Sequence, residues 1–342
     1  MKSKRKQKFR VVVLVRKGLV PPDSIEGLTP EEIQPWRTEW DVISTLRSMG
    51  HEVMPIGLYS DLGVIRTALE EAKPHVAFNV LEEFHGDALY DQHVVSFLEL
   101  VRQPYTGCNP RGLTLAHDKA LTKQILAYHR ISVPGFVVFP LNRRVRRPKK
   151  LKFPLLVKSL IEEGSTGISQ ASIVHDDEKL VERVEFIHRR IGTSAIAEQY
   201  IEGREIYVAV MGNQRLQTFT PWELVISNLP EGSCNIATGR IKWNRAYQQR
   251  VGVITQAAKL GPELRRKIEH TSKRVYRLLS LSGYARIDYR VTEDGKLYLL
   301  EANPNPDIAA EEDFAAAAAH SGIKYKRLLE RIINLGLRYA AW

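Results

Sequence analysis

Between residues 9 and 81 the apolar pattern changes period four times, and this alternation limits the folds open to the chain more than any single motif does. Phe9 to Val15 is a strand-length apolar run, after which Trp36, Trp40, Ile43 and Leu46 recur at helical spacing. Gly50 follows as the C′ residue, His51 to Ile56 reads as strand and Val64 to Ala72 as helix, and Pro74 closes that helix before a strand over His75 to Leu81. A βαβαβ order predicts a parallel sheet with helices on both faces, in the α/β class. The connection from Lys17 to Pro35 carries Pro21, Pro22 and Pro30 and is expected to be a surface loop beside the C-terminal strand ends, where such sheets bind ligands. No two glycines are separated by a single residue, which excludes the GxGxxG fingerprint, and the Walker A pattern is absent as well.

With 342 residues, 44% of them apolar, the chain can bury a sizeable core, and its length suggests two or three domains. A net charge of +11 raises the question of nucleic acid or an anionic membrane, but the excess is local. Residues 1–10 hold six basic side chains and residues 143–152 hold seven, with no acid in either run; without those 13 charges the remainder carries −2. The runs lack the aromatic interleaving of nucleic-acid stacking platforms, so neither nucleic acid nor membrane is an expected partner. Cys108 and Cys234 are the only cysteines and fit no disulfide framework or zinc spacing. No apolar stretch approaches the roughly 20 residues of a membrane span, and the basic start is followed by no signal-type apolar region, so the chain reads as soluble and cytoplasmic.

Downstream, the patterns predict a helix over 117–129, strands over 135–139 and 153–158 flanking the basic run as a loop, and a small-residue loop over 163–167. A strand over 168–174, a helix over 177–190 and strands over 195–201 and 205–211 follow, then a polar, Trp-rich excursion over 221–250. A helix over 262–281, a hairpin and a closing helix near 325–335 complete the chain.

The hairpin carries the strongest signal. Gly283 to Val291 and Leu297 to Asn303 flank Asp294-Gly295, a preferred hairpin turn. With that pair at the turn, opposed residues sum to 589, so Asp288 faces Glu301 and Arg286 faces Asn303, all on one face. Ala285, Ile287, Tyr289, Leu300 and Ala302 are expected on the other, core-side face. Acids opposed at about 5 Å repel by about 3 kcal/mol at an effective dielectric near 20, so the arrangement calls for a cation. Two carboxylates and the Asn303 amide oxygen form a hard oxygen set suited to Mg²⁺, which takes its other ligands from water and phosphate. The alternative is a surface ladder in which Arg286 merely neutralises Asp288.

From about Phe78 onward the chain resembles the ATP-grasp superfamily, and within it the D-alanine:D-alanine ligases. The motifs that carry the resemblance are Phe78-Asn79-Val80 with His85-Gly86, Pro104-Tyr105-Thr106-Gly107, Asp118-Lys119, Val157-Lys158, Glu163 to Gly167, Glu198 to Glu205, and Arg286-Ile287-Asp288 with Leu300 to Asn303. The family implies an α/β ATP-grasp fold of three domains, here 1–108, 109–197 and 198–342, with ATP between the second and third. By the same resemblance Lys119 and Lys158 hold the phosphates, and the loop Glu163, Gly164, Ser165, Thr166 and Gly167 closes over them. The backbone from Glu198 through Tyr200 and Ile201 reads adenine, and Glu205 takes the ribose hydroxyls. Asp288, Glu301 and Asn303 hold Mg²⁺, Arg286 stabilises an oxyanion, Lys242 touches the transferred phosphate and His85 orients the donor carboxylate. The implied reaction joins a small-molecule carboxylate donor to an amine acceptor through an acyl phosphate, releasing ADP and phosphate, in an enzyme that is a homodimer by family only.

Three features depart from the ligase pattern. Asp87 to His93 replaces the usual acidic residue and glycine after His-Gly, and the anchor for a donor ammonium is not marked, Glu39 being a candidate. Where the ligases receive the acceptor carboxylate through a Ser-Leu pair, this chain carries Asp307, Glu311, Glu312 and Asp313. D-alanine is therefore an unexpected acceptor, unless those acids instead cap a helix beginning near Phe314. A true D-alanine:D-alanine ligase and a non-catalytic ATP-binding module are the alternatives.

Overall fold

A computed structural model describes residues 7–162, 164 and 166–339, whose strands form three sheets. Glu163 and Ser165 lie outside the described residues. The first sheet is the parallel one expected: β1 (Arg10–Arg16), α1 (Pro30–Ile33), α2 (Arg37–Ser48), β2 (Glu52–Leu58), α3 (Gly63–Ala72) and β3 (Val76–Asn79), in strand order β2-β1-β3. Val11 to Val15 are buried without a break, as a central strand covered on both faces must be. Their side chains alternate between two cores: Val12 and Leu14 meet Ile65 and Ala68 of α3, while Val11, Val13 and Val15 meet Val42, Ile43 and Leu46 of α2. The 17–35 connection is more ordered than a plain loop, because Thr29 and Glu32 form a capping box that starts α1 at Pro30.

Three helices follow, α4 (Asp91–Leu100), α5 (Pro110–His117) and α6 (Lys119–Tyr128). The helix expected over 117–129 is α6, which starts two residues later because the backbone of Asp118 leaves the helical region (φ −84°, ψ 99°) and its carboxylate accepts from the N–H groups of Ala120 and Leu121. That cap fixes Lys119 in the first turn of α6.

The second sheet is antiparallel, in order β4-β7-β5-β6, from β4 (Phe136–Phe139), β5 (Leu155–Ser159), β6 (Ile173–Val174) and β7 (Ala195–Gln199), with α7 (Asp177–Phe186) between the last two. Only two residues of the strand expected over 168–174 form, because Ser169 and Ser172 bond to each other across a 3₁₀ turn. The basic run is a surface loop as expected, pinned at Arg147, which pairs with Asp177 at 2.8 and 3.0 Å and lies 4.4 Å from the Phe153 ring centroid. This sheet has its own core, including Leu155, Val157, Leu180, Val184 and Ile187.

The third sheet draws on β8 (Arg204–Met211), β9 (Gln217–Thr218), β10 (Trp222–Ile226), α8 (Gly239–Trp243), α9 (Arg245–Val251), β11 (Val253–Ala257), α10 (Pro262–Leu278), β12 (Tyr284–Val291), β13 (Leu297–Pro304), α11 (Asp313–His320) and α12 (Tyr325–Arg338). Its order is β11-β10-β8-β12-β13, with β9 beside β8. The polar excursion over 221–250 therefore contains a strand and two short helices, set by the side-chain caps of Thr238 and Asn244. Helix α12 returns to the first sheet, where Leu328, Ile332 and Ile333 share the core of Val11 and Val13. No helix among the described residues is long and apolar enough to cross a membrane.

Candidate active site

In the hairpin Asp288 faces Glu301 and Arg286 faces Asn303, as expected, but the register arises differently from the simple count. Next to the turn Val291 pairs with Leu297 and Arg290 with Tyr298, and the Thr292 N–H donates to the Lys296 carbonyl, so the loop has three residues, with Gly295 at φ +74°. Carried along the strands, that register would set Leu300 against Asp288. A β-bulge at Leu300 restores the acids to opposition. Leu300 is consequently not on the core-side face: it lines a cleft, and fully buried Leu299 takes the core position.

The cleft lies between the second and third sheets and is open to solvent. Eight residues singled out in the sequence line it: Lys158, Glu198, Tyr200, Ile201, Glu205, Lys242, Asp288 and Glu301. Arg286 and Asn303 adjoin it through Asp288. The Arg286 Nε and Nη2 atoms donate to the two Asp288 oxygens at 2.8 and 2.9 Å, Asn303 Nδ2 donates to Oδ2 at 2.9 Å, and the guanidinium lies 4.8 Å from the Tyr207 ring centroid. The Arg286–Asp288 pair of the surface-ladder alternative thus exists, but Asp288 is only 3% exposed, so no solvated ladder does.

The charges of the cleft are unequal in environment. Burial raises the Asp288 pKa despite Arg286. Burial would also raise Glu301, but Lys158, Lys119, Lys242 and Arg286 outweigh it and hold that carboxyl at about 2. Burial lowers Lys158 less than Glu198 and Glu301 raise it. Glu205 accepts from Arg290 Nη2 at 2.9 Å and from the Tyr207 hydroxyl at 2.8 Å.

Lys242 sits on α8, which Thr238 caps, and the Gly239 N–H donates to the Ile168 carbonyl at 3.1 Å, tying this helix to the small-residue loop. Lys119 reaches the same loop, its Nζ donating to the Glu162 carbonyl at 2.7 Å. Gly164 and Gly167 adopt φ +64° and +70°, and the Gly167 carbonyl accepts from Arg183; Thr166 is exposed. His85 is not brought to the cleft wall: it is exposed at φ +58° in a tight turn with Gly86, its ring edge-on to Tyr59.

Sequence reasoning missed Lys123. It is fully buried, with Nζ 2.5 Å from the Leu300 carbonyl and 3.3 Å from Glu198 Oε1, and burial pulls its pKa down to about 8. Glu198 Oε1 is also 3.4 Å from Lys158 Nζ, so one buried carboxylate serves two ammonium groups. The only sequence signal is that Lys123 follows Lys119 by one helical turn.

A second acidic region adjoins Arg286. Glu39 is 6% exposed; burial first, then Glu82 and Asp307, push its pKa up to about 7. Asp307 accepts from Thr38 Oγ1 at 2.7 Å and Asp41 from the Ala310 N–H at 2.9 Å, and Asp313 lies near enough to contribute to the raised Arg286 pKa.

The D-ala D-ala ligase C-terminus family model matches residues 126–334. A D-alanine–D-alanine ligase of Syntrophotalea carbinolica is 32% identical over 312 residues, spanning 90% of this chain and 92% of that one. The chain belongs to the D-alanine:D-alanine ligase family. The ligase is 29% identical over 320 residues to an uncharacterized protein of Sinorhizobium fredii, covering 90% and 91% of the two chains. Its fold superposes on a Bacillus anthracis D-alanine–D-alanine ligase complexed with ATP with a TM-score of 0.73 and 25% identity, over 96% and 98% of the two chains. The ligase accordingly has the α/β ATP-grasp fold expected and is an ADP-forming, ATP-dependent enzyme.

Proposed function

We propose that the ligase activates a carboxylate with Mg²⁺-bound ATP and transfers the acyl group to an amine that is not D-alanine. The supporting observation is the opposed pair Asp288 and Glu301, surrounded by Lys119, Lys158, Lys242 and Arg286. The Glu301 carboxylate accepts no hydrogen bond among the described residues and stays ionised, which suits a metal ligand. No group of three or more His, Cys, Asp or Glu among the described residues is arranged to hold a metal. Asp288, Glu301 and Asn303, two carboxylates and an amide oxygen, would hold a cation that takes its other ligands from phosphate oxygens and water, and Mg²⁺ fits that description. When bound it supplies charge neutralisation at the phosphates.

In this reading Glu198, Tyr200 and Ile201 frame the adenine, Glu205 the ribose, and Lys119, Lys158, Lys242 and the loop Glu163 to Gly167 the phosphates. A donor carboxylate oxygen attacks the γ-phosphorus, and ADP leaves. The amine then attacks the carbonyl carbon, the oxyanion forms beside Arg286, and phosphate leaves as the amide forms. Arg286 is held ready by its two bonds to Asp288. Turnover should require both donor and amine and yield ADP and phosphate; AMP and pyrophosphate would overturn the mechanism. A homodimer belongs to the same proposal and is tested by sedimentation.

The acceptor reading rests on charge. Glu312 occupies the N-cap of α11 without a side-chain cap bond and Asp313 its first turn, so the helix start accounts for their position, yet Asp313 still acts on Arg286. An acceptor carboxylate brought within about 4 Å of an acid in this region would cost about 1–4 kcal/mol. An amino acid amide should therefore turn over faster than the free amino acid at saturating ATP. The names of the ligase relatives carry the second reading, D-alanine as acceptor, and a preference for the free acid, lost on mutation of 307–313, would support it over the first.

A further inference from the structure

We infer that Lys123 is a positioning residue that holds the β13 bulge and thereby keeps Glu301 on the metal side of the hairpin. The inference rests on the reading of Asp288 and Glu301 as cation ligands. Without the bulge, the turn-side register would set Glu301 opposite Ile287, on the core-side face, and leave Leu300 facing Asp288. The site thus depends on one extra residue staying where it is. Leu300 has no partner across the ladder, and its carbonyl accepts from Lys123 Nζ at 2.5 Å. The Lys123 side chain is 1% exposed, so this ammonium has no solvent to turn to. Its other near partner, Glu198 Oε1 at 3.3 Å, lies 3.4 Å from Lys158 Nζ, which lies 4.0 Å from Glu301 Oε2. The contacts form a ring that starts on the Leu300 backbone and closes on the Glu301 side chain. Lys123 contributes charge and a donor to that ring without lining the cleft itself.

The test is Lys123→Met, which keeps bulk and removes the ammonium. Mn²⁺ binding in the presence of ADP is read from the electron paramagnetic resonance of free Mn²⁺, and ADP binding in EDTA by calorimetry. The Mn²⁺ dissociation constant should rise about tenfold, with metal-free ADP affinity changed much less. Unchanged Mn²⁺ binding, or parallel loss of both, would overturn the inference alone. Wild-type protein that binds no Mn²⁺ with ADP, or an Asp288→Asn variant that binds it normally, would overturn the ligand reading and the inference with it. If Lys123→Met fails to fold, Lys123→Met with Glu198→Gln removes the buried carboxylate that has lost one of its two ammonium partners, and the same loss of Mn²⁺ binding, judged against Glu198→Gln alone, is expected.

Discussion

Glu39 faces Glu82 and Asp307 with no ion-pair partner among the described residues, and the folded protein holds its proton to about pH 7. An unfolded glutamate releases its proton near 4.5. The folded state therefore binds more protons between those values: the stabilisation is fully present below about 4.5 and lost as pH rises through 7. Glu39→Gln should raise stability at pH 8 by about 1–3 kcal/mol and do little near pH 4.5. Thermal denaturation at the two pH values reads this, and an equal effect at both would show that proton binding is not involved. Residues of this kind mark the limit of what single positions disclose. Asp288 and Glu301 were legible because a two-residue period and an Asp-Gly turn fix which side chains share a face. Lys123 was not, because a lysine on a helix reads as solvated until tertiary contacts bury it.

At the level of elements, the hairpin register was legible at the acids and wrong at the turn, since a three-residue loop and a bulge offset each other. The start of α6 after Asp118 and the loss of strand before Ile173 were not foreseen, because they come from side chains bonding to backbone, which periodicity does not register. The elements also revise the energetics of the opposed acids. Each is matched by cations, Asp288 by Arg286 and Glu301 by lysines, so the repulsion inferred from opposition alone is answered within the protein. Asp288→Asn should accordingly cost stability as well as turnover: about 1–3 kcal/mol, below the full penalty for breaking a buried pair because Arg286 keeps some solvent, and about a hundredfold or more in rate. Denaturant titration beside steady-state rates tests both, and normal stability would show that the Arg286 pair contributes little.

Across the whole molecule, the first and third sheets share two cores while the second has a separate one. We propose the division at 108 and 197, which the separate core supports from β4 onward, since Leu113, Ala116 and Leu126 of α5 and α6 pack in a core shared by the other two sheets; the cleft lies at the seam between the second sheet and the rest. Hydrogen exchange should then slow in β4, β5 and β7 when ADP and Mg²⁺ are added, more than in β1 to β3; uniform slowing would argue for one cooperative body.

The shared cores have a bearing on biosynthesis. Val11 and Val13, near the start, are covered by Ile332 and Ile333, near the last described residues. A chain made from its N-terminus can pair β1, β2 and β3 early and lay α2 over Val11, Val13 and Val15, but the core on that face is completed only when α12 leaves the ribosome. That core must wait through more than three hundred residues of synthesis for Ile332 and Ile333 to complete it. Chaperone demand during translation should therefore fall on the sheet of β1 to β3, and an interruption before α12 should leave its core unfinished, unlike that of the second sheet, which is drawn from its own neighbourhood.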